Sequence, residues 1–184
     1  MNGGSQYSEA ELIEQCVKGN PVAQRELYDR YSSLMYPVCV RYVGREVAKD
    51  VLQDGFVTVF EKISTFKGEG SFAGWMRRIF VNTALMALRK NDALRWSEDI
   101  GAVDESALGV SDCGAVDQLS AKELLALILE MPAGFRSVFN LFVMEGCSHA
   151  EISGILGINE ASSRSQLSRA RVWMQERIKK LYDR

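Results

Sequence analysis

Apolar residues recur at helical spacing through both ends of this 184-residue chain, and no stretch alternates apolar and polar residues as a strand does. Three helix starts carry a serine followed three residues later by a glutamate, the pair that caps a first turn: Ser8, Ser120 and Ser148. Asn20 followed by Pro21 marks a fourth start. Glycines stand at four predicted helix ends: Gly19, Gly44, Gly146 and Gly157. The pattern predicts helices near residues 9–18, 21–43, 45–63, 72–90, 121–131, 133–145, 149–156 and 160–180.

Residues 91–119 interrupt the helical pattern with an acidic stretch that is rich in Gly and Ser and short of large apolar residues. It holds one Arg against seven acids, whereas residues 1–90 hold 12 Lys+Arg against 10 Asp+Glu, and residues 120–184 hold nine against seven. We therefore predict an all-α protein with two small helical domains, joined by a flexible acidic linker. The linker is either a solvated tether or an acidic strand that occupies a basic channel in a partner.

Composition excludes several classes of protein. The apolar share of 47% is that of a globular chain, and the longest apolar run, Leu124 to Leu129, is far too short to span a bilayer. No secretory signal is visible, and the four cysteines are scattered, which favours reduced thiols in a cytosol. We therefore expect a cytoplasmic protein with no membrane insertion of its own.

The last two predicted helices form a helix-turn-helix pattern around the short turn Gly157-Ile158-Asn159. One face of the final helix is apolar and must pack on the preceding helices: Leu167, Ala170, Met174, Ile178 and Leu181. The opposite face of the run SSRSQLSRAR carries side chains that suit the DNA major groove, short ones for close approach and longer ones for base edges: Ser162, Ser165, Gln166 and Arg169. Arg164 and Arg171 lie at the rim, where phosphates are expected. The alternative is an ordinary solvated helix face.

The run TFKGEGSFAGWMRRIFVNTALMALRK, residues 65–90, places a glycine-rich loop in front of a helix. Aromatic and basic residues are interleaved there, as in proteins that stack unpaired bases on rings while cations follow the backbone. The candidate contacts are Phe66, Lys67, Gly68, Glu69, Gly70, Ser71, Phe72, Arg77, Arg78 and, for a base edge, Asn82. The alternative is that the rings belong to the core, which we favour for Trp75 and Phe80.

The preceding helix, DVLQDGFVTVF from Asp50 to Phe60, is apolar around most of its circumference. Asp50, Gln53 and Asp54 form a polar stripe along it. Taken alone, the stripe is either the solvated edge of a buried helix or a docking surface for a partner protein.

With the run SHAEISGILGINEASSRSQLSRAR, these two motifs stand in the order and at the spacing of one family. The chain resembles bacterial RNA polymerase sigma factors of the extracytoplasmic-function (ECF) group from Ser8 to Leu181. The resemblance implies a four-helix region 2 within residues 1–90, a linker at 91–119 and a helix-turn-helix region 4 within 120–184. It also implies that the protein directs core polymerase to promoters and helps to open them. The implied partners are core RNA polymerase, promoter DNA and an anti-sigma factor.

The resemblance assigns roles to residues already singled out. Asp50, Gln53, Asp54 and Phe56 lie where the family docks on the polymerase clamp helices, and the linker lies where it threads the RNA exit path. The loop from Phe66 to Phe72 lies where the family captures a flipped base of the −10 element, and Asn82 matches a base-reading position. The predicted −35 surface comprises Ser162, Ser163, Arg164, Ser165, Gln166, Ser168, Arg169 and Arg171.

One departure limits what can be carried over. Many members of the family have a Thr-Val pair where this chain has Ser162-Ser163, and a bulkier residue at position 168. The promoter sequence preference of the family is therefore not transferred to this chain.

Two other classes of protein are alternatives to a sigma factor. A dimeric helix-turn-helix regulator would bind duplex DNA without polymerase, but it has no need of the basic aromatic loop in residues 65–90. An enzyme is disfavoured because the chain lacks a GxSxG motif, a phosphate-cradling loop and paired catalytic carboxylates. The lone His149 with Cys147 is too sparse for a metal site. We therefore expect no catalytic residues, no metal and no cofactor.

Overall fold

The computed structural model of this protein describes residues 7–90 and 120–182. The chain divides into two compact units, Met1–Ala87 and Leu88–Arg184. Every regular element in the described ranges is helical, so the predicted all-α fold class is confirmed for them. The predictions for the linker at residues 91–119 lie outside the described residues, as does Cys113.

Within the described residues, the N-terminal unit holds α1 (Glu9–Val17), α2 (Pro21–Lys62) and all but the last turn of α3 (Phe72–Lys90). A short 3₁₀ turn, Ile63–Thr65, follows α2. The long α2 is broken at Gly44, whose φ of 80° and ψ of 171° are not helical. A positive φ favours glycine, which explains the residue type at this position. The break separates two arms of α2, which the sequence predicts as separate helices.

The helix starts follow the capping signals of the sequence. Ser8 Oγ accepts a hydrogen bond from the Glu11 backbone N–H at 3.3 Å, and the Glu11 carboxylate accepts one from the Ser8 backbone N–H at 2.9 Å. The same reciprocal pair occurs at Ser120 and at Ser148. Asn20 caps α2 by accepting a hydrogen bond from the Val22 backbone N–H at 3.0 Å. All four predicted starts are confirmed.

Residues 120–182 of the C-terminal unit form four helices and one irregular turn. The helices are α4 (Ala121–Glu130), α5 (Ala133–Phe139), α6 (His149–Leu156) and α7 (Glu160–Tyr182). The single helix predicted near 133–145 is replaced by α5 and a π-helical turn, Asn140–Met144. A π turn inserts an extra residue into a helix; most π turns are single turns, and they are frequent at functional sites.

The second half of α7 is anchored in the core of this unit. Ala170, Met174 and Ile178 form one buried cluster with three residues at the end of α4 and just beyond it: Leu127, Ile128 and Met131. This confirms most of the predicted apolar face of α7. Leu181 is an exception, since 49% of its side chain is exposed.

Candidate nucleic-acid interface

The turn between α6 and α7 has the geometry that a helix-turn-helix needs. Gly157 ends α6 in the left-handed conformation, with φ of 71°, and its N–H donates to the Ser153 carbonyl at 2.9 Å. Asn159 then caps α7, because its Oδ1 accepts a hydrogen bond from the Ser162 backbone N–H at 2.7 Å. The turn therefore requires the left-handed conformation at position 157, where glycine is favoured.

The four serines at the start of α7 divide into two pairs. Ser162 and Ser165 are half-buried and keep access to solvent. Ser163 is fully buried, and Ser168 is only 8% exposed. This corrects the predicted −35 surface, because the side chains of Ser163 and Ser168 face the protein. They are packing residues that allow close contact between α7 and its neighbours.

Three arginines give the first half of α7 its positive charge. Arg164 is exposed and forms an i, i+4 ion pair with Glu160 at 3.1 Å. Such a surface pair is worth at most about 1 kcal/mol, so a phosphate can replace the glutamate at little cost. Arg171 is exposed, while Arg169 and the neighbouring Gln166 are half-buried.

His149, the first residue of α6, touches α7 and the π turn. Its Nδ1 lies 2.9 Å from Ser163 Oγ, and its ring stacks on Phe142 at 4.8 Å between centroids. Burial lowers the pKa of His149, as do the positive charges of Arg164 and Arg171, while Glu160 acts in the opposite direction. The imidazole is therefore neutral at pH 7. No sequence signal marks this contact, because His149 and Ser163 are 14 residues apart.

The ends of the glycine-rich loop in the N-terminal unit are joined by aromatic contacts. The Phe66 ring lies 5.1 Å from that of Phe72 and 5.6 Å from that of Trp75, and Phe72 also meets Tyr31 at 5.6 Å. Phe72 is only 1% exposed. This corrects its predicted role, because a buried ring cannot stack on a base. Phe72 anchors the loop, whereas Phe66 remains half-buried.

The apex of this loop, residues 67–71, is exposed throughout. Gly68 and Gly70 both adopt positive φ, at 78° and 76°, so the tight path of the loop requires glycine at these two positions. Ser71 Oγ accepts a hydrogen bond from the Gly74 N–H at 3.1 Å and so fixes the start of α3. Lys67 and Glu69 project from the apex.

One exposed face of α3 continues from the loop. Arg78 and Asn82 are exposed one helical turn apart, and Arg77 beside them is half-buried. Met86 follows on the same face and is 65% exposed. Met86 is not among the residues predicted from the sequence, although its spacing of four residues from Asn82 places it on the same helix face.

The polar stripe on α2 is exposed at all three predicted positions, Asp50, Gln53 and Asp54. Phe56 is not part of that surface. It is only 3% exposed, and its ring packs on Tyr28 at 4.6 Å and on Phe80 at 5.1 Å. The structure thus corrects Phe56 from a contact residue to a core residue. Val57, one turn beyond Asp54, is 52% exposed and extends the stripe with an apolar side chain.

Two further kinds of site, a membrane-spanning helix and a metal site, are absent from residues 7–90 and 120–182. None of the helices there is long and apolar enough to cross a membrane. The same residues contain no cluster of three or more His, Cys, Asp or Glu side chains that would hold a metal ion.

Comparison with known proteins gives consistent matches for both units. The family model for Sigma-70 region 2 matches residues 27–94, and the one for Sigma-70 region 4 matches residues 121–174. The chain is 29% identical over 186 residues to the ECF RNA polymerase sigma-E factor of Haemophilus influenzae, covering 96% of this chain and 98% of the relative. It is 28% identical over 190 residues to the ECF RNA polymerase sigma-E factor of Escherichia coli K12, covering 97% and 98%.

A solved structure has a related fold. It is the sigma factor RpoE from Bartonella quintana in complex with the anti-sigma factor NepR, with a TM-score of 0.52 and 18% identity. The match covers 84% of this chain and 96% of that chain. The two family matches follow each other in the order of the two helical units, and the relatives match along almost their whole length. The chain therefore belongs to the sigma-70 family, as an ECF sigma factor that directs RNA polymerase to promoters.

Proposed function

We propose that the first half of α7 reads the −35 element of the promoter in the major groove. The observation that carries this proposal is the division of α7 into two halves. The second half is buried against α4, so it fixes the helix in the unit. The first half presents polar and basic side chains at its surface: Ser162, Arg164, Ser165, Gln166, Arg169 and Arg171. Short hydroxyls permit close approach to base edges, and arginines reach guanine or phosphate.

The glycine-rich loop and the exposed face of α3 form the proposed −10 surface. Lys67, Arg77 and Arg78 supply positive charge for the backbone of an unpaired strand. Gly68 and Gly70 leave the loop without side chains at two positions, which gives an extruded base access to the main chain. Phe66 offers a partly open ring, and Asn82 offers an amide for a base edge. Glu69 and Ser71 complete the loop.

The proposed domains are region 2 in residues 1–90, a linker in 91–119 and region 4 in 120–184. The α2 stripe of Asp50, Gln53 and Asp54 is the proposed docking surface for core RNA polymerase. The two relatives named above are RNA polymerase sigma-E factors, and the related structure was solved with an anti-sigma factor. We propose an anti-sigma factor as a partner here as well. The protein would act in the cytoplasm, where its polymerase is, and would carry no catalytic activity of its own.

The separate roles of two arginines on α7 test the −35 assignment. If Arg169 makes a bidentate contact to a guanine, Arg169→Ala should cost about 1–3 kcal/mol and relax selectivity at one base pair. If Arg171 contacts phosphate, Arg171→Ala should weaken all −35 sequences alike and lower the salt dependence of binding by about one contact. The measurement is transcription from a promoter library by core polymerase with each variant.

Lys179→Ala is the matched control, because this exposed cation lies in the last turns of α7. It should leave both promoter selectivity and salt dependence unchanged. An equal, uniform loss for Arg169→Ala and Arg171→Ala, with base preference unaltered, would show that the two roles are assigned wrongly.

The docking surface gives a second prediction, the charge reversal Asp54→Arg. Asp54 is exposed on the stripe, so the fold should be retained while the affinity for core polymerase falls by at least about tenfold, or about 1.4 kcal/mol. Asp29→Arg is the control, since it makes the same change of charge at an exposed position in the other arm of α2. Titration of core polymerase with labelled sigma variants measures both. An affinity equal to that of Asp29→Arg would exclude the stripe as the docking surface.

A further inference from the structure

Phe142, in the π turn of the C-terminal unit, is in contact with two side chains that come from different helices. The ring of His149, at the start of α6, stacks on it with 4.8 Å between centroids and 27° between planes. The guanidinium of Arg171, in the middle of α7, lies over the same ring, 5.9 Å from its centroid. Phe142 is itself half-buried, so the ring is open to these two neighbours without being a full member of the core.

The contact extends from Phe142 to the first turn of α7. His149 stacks on Phe142 and also joins Ser163, whose Oγ lies 2.9 Å from the imidazole Nδ1. Ser163 is fully buried, so it cannot turn to solvent to satisfy its hydroxyl there. Ser163 and Arg171 are eight residues apart, which is about 12 Å along a helix. The Phe142 ring is therefore connected to both ends of the first half of α7: to Ser163 through His149, and to Arg171 directly.

The charge state of the imidazole fits this arrangement. The side chains that act electrostatically on His149 are Arg164, Glu160 and Arg171, all on α7. Burial and the two arginines keep the pKa of His149 below its ordinary value, and Glu160 only partly opposes them. A neutral ring stacks on Phe142 without adding a positive charge that would repel Arg171.

We propose that Phe142 is a positioning residue for promoter DNA: its ring holds the Arg171 guanidinium in a fixed orientation towards phosphate, and His149, in contact with Ser163, keeps the ring in place. The proposal rests on the −35 role of α7 proposed above. A long, exposed arginine loses rotamer freedom when it binds phosphate. An aromatic ring beneath it, held by a cation–π contact, has already restricted that freedom in the unbound protein. The π turn is what places Phe142 at this point, because it shifts the chain by one residue after α5.

The test is a double-mutant cycle in the full-length protein bound to core polymerase, measured as affinity for −35-containing promoter DNA over a range of salt concentrations. The variants that remove the ring are Phe142→Leu and Phe142→Met, and Met retains most of the volume if Leu disturbs packing. We expect each to weaken binding about three- to tenfold and to lower the salt dependence as Arg171→Ala does. In the background of Arg171→Ala, the loss from Phe142→Met should be much smaller. Phe142→Tyr keeps the ring, so its affinity for the promoter DNA and its salt dependence should match those of the wild type.

The results separate the positioning role proposed for Phe142 from the −35 role proposed for α7. If Arg171→Ala weakens binding while both ring-removing variants bind as the wild type does, the positioning role of Phe142 is overturned and the role of α7 stands. The same conclusion follows if the losses from Phe142→Met and Arg171→Ala simply add, since Phe142 would then act by packing alone. If Arg171→Ala itself changes neither affinity nor salt dependence, the phosphate contact is wrong, and the inference fails together with it.

Discussion

Gly55→Ala should destabilise the N-terminal unit by about 2 kcal/mol, although alanine is the better helix former by about 1 kcal/mol. Gly55 is buried in α2, and a Cβ added there would lie 2.2 Å from Cε1 and 2.4 Å from Cδ1 of the Phe80 ring. Carbon atoms in contact normally keep about 3.5–4.0 Å apart. Phe80 is fully buried and lies edge-on to Phe56, so its ring cannot give way without displacing other core side chains. The steric overlap therefore outweighs the gain in helix propensity.

Calorimetry of the full-length protein measures this effect. A loss of 2 kcal/mol should lower the transition of a unit of this size by about 8–16 °C. Gly154→Ala is the matched control, because Gly154 lies inside α6 and an added Cβ there meets nothing within 4 Å. It should be neutral or stabilising. The double variant Gly55→Ala/Phe80→Leu should be more stable than the sum of the two single changes predicts, because leucine vacates the space. Simple additivity would contradict the steric explanation.

The predicted Gly55 effect also bears on the docking surface. Asp54 is exposed, and the next residue, Gly55, is in contact with the Phe80 ring. The motif DVLQDGFVTVF thus combines a surface for a partner with a close approach of α2 to α3. A helical wheel indicates the polar edge, but it does not show that the adjoining glycine is needed for packing.

Most of the fold could be predicted because its signals are local. The three Ser-x-x-Glu caps and Asn20 depend on atoms within a single helical turn. The break at Gly44 and the end of α6 at Gly157 depend on one backbone angle each. Such signals are independent of the rest of the molecule. The π turn after α5 was not predicted, since no residue type in Asn140–Met144 distinguishes it from an ordinary helix.

The candidate sites were predicted less completely, because burial depends on neighbours that are distant in sequence. Phe72 belongs to a loop with the composition of a base-binding site, but it is buried against Phe66, Trp75 and Tyr31. Ser163 lies in the part of α7 whose composition is typical of a DNA-binding helix, yet its hydroxyl contacts His149 of α6. In each case the residue type was compatible with the surface, and only the tertiary contact assigned it to the interior.

The serines of α7 yield the second large prediction, Ser165→Leu. Ser165 is half-buried in the half of α7 that is proposed to enter the groove. Leucine adds a bulky, apolar group where the close approach to base edges requires a short side chain. The fold should be retained, but the contact with the groove floor should be lost. In run-off transcription, the ratio of activity on a promoter with an intact −35 element to that on one with a scrambled element should fall to about one.

Ser168 supplies the control, because it is 8% exposed and its Oγ has no hydrogen-bond partner among the described residues. Ser168→Ala removes a buried hydroxyl that makes no such bond, so stability should be unchanged or slightly raised, and the −35 ratio should stay at the wild-type value. If Ser165→Leu folds normally and also keeps the wild-type ratio, that part of α7 does not enter the groove. If Ser168→Ala loses the ratio while remaining folded, the serine assigned to packing reads the promoter instead. The pair of variants thus separates the serines that approach DNA from those that let α7 pack closely.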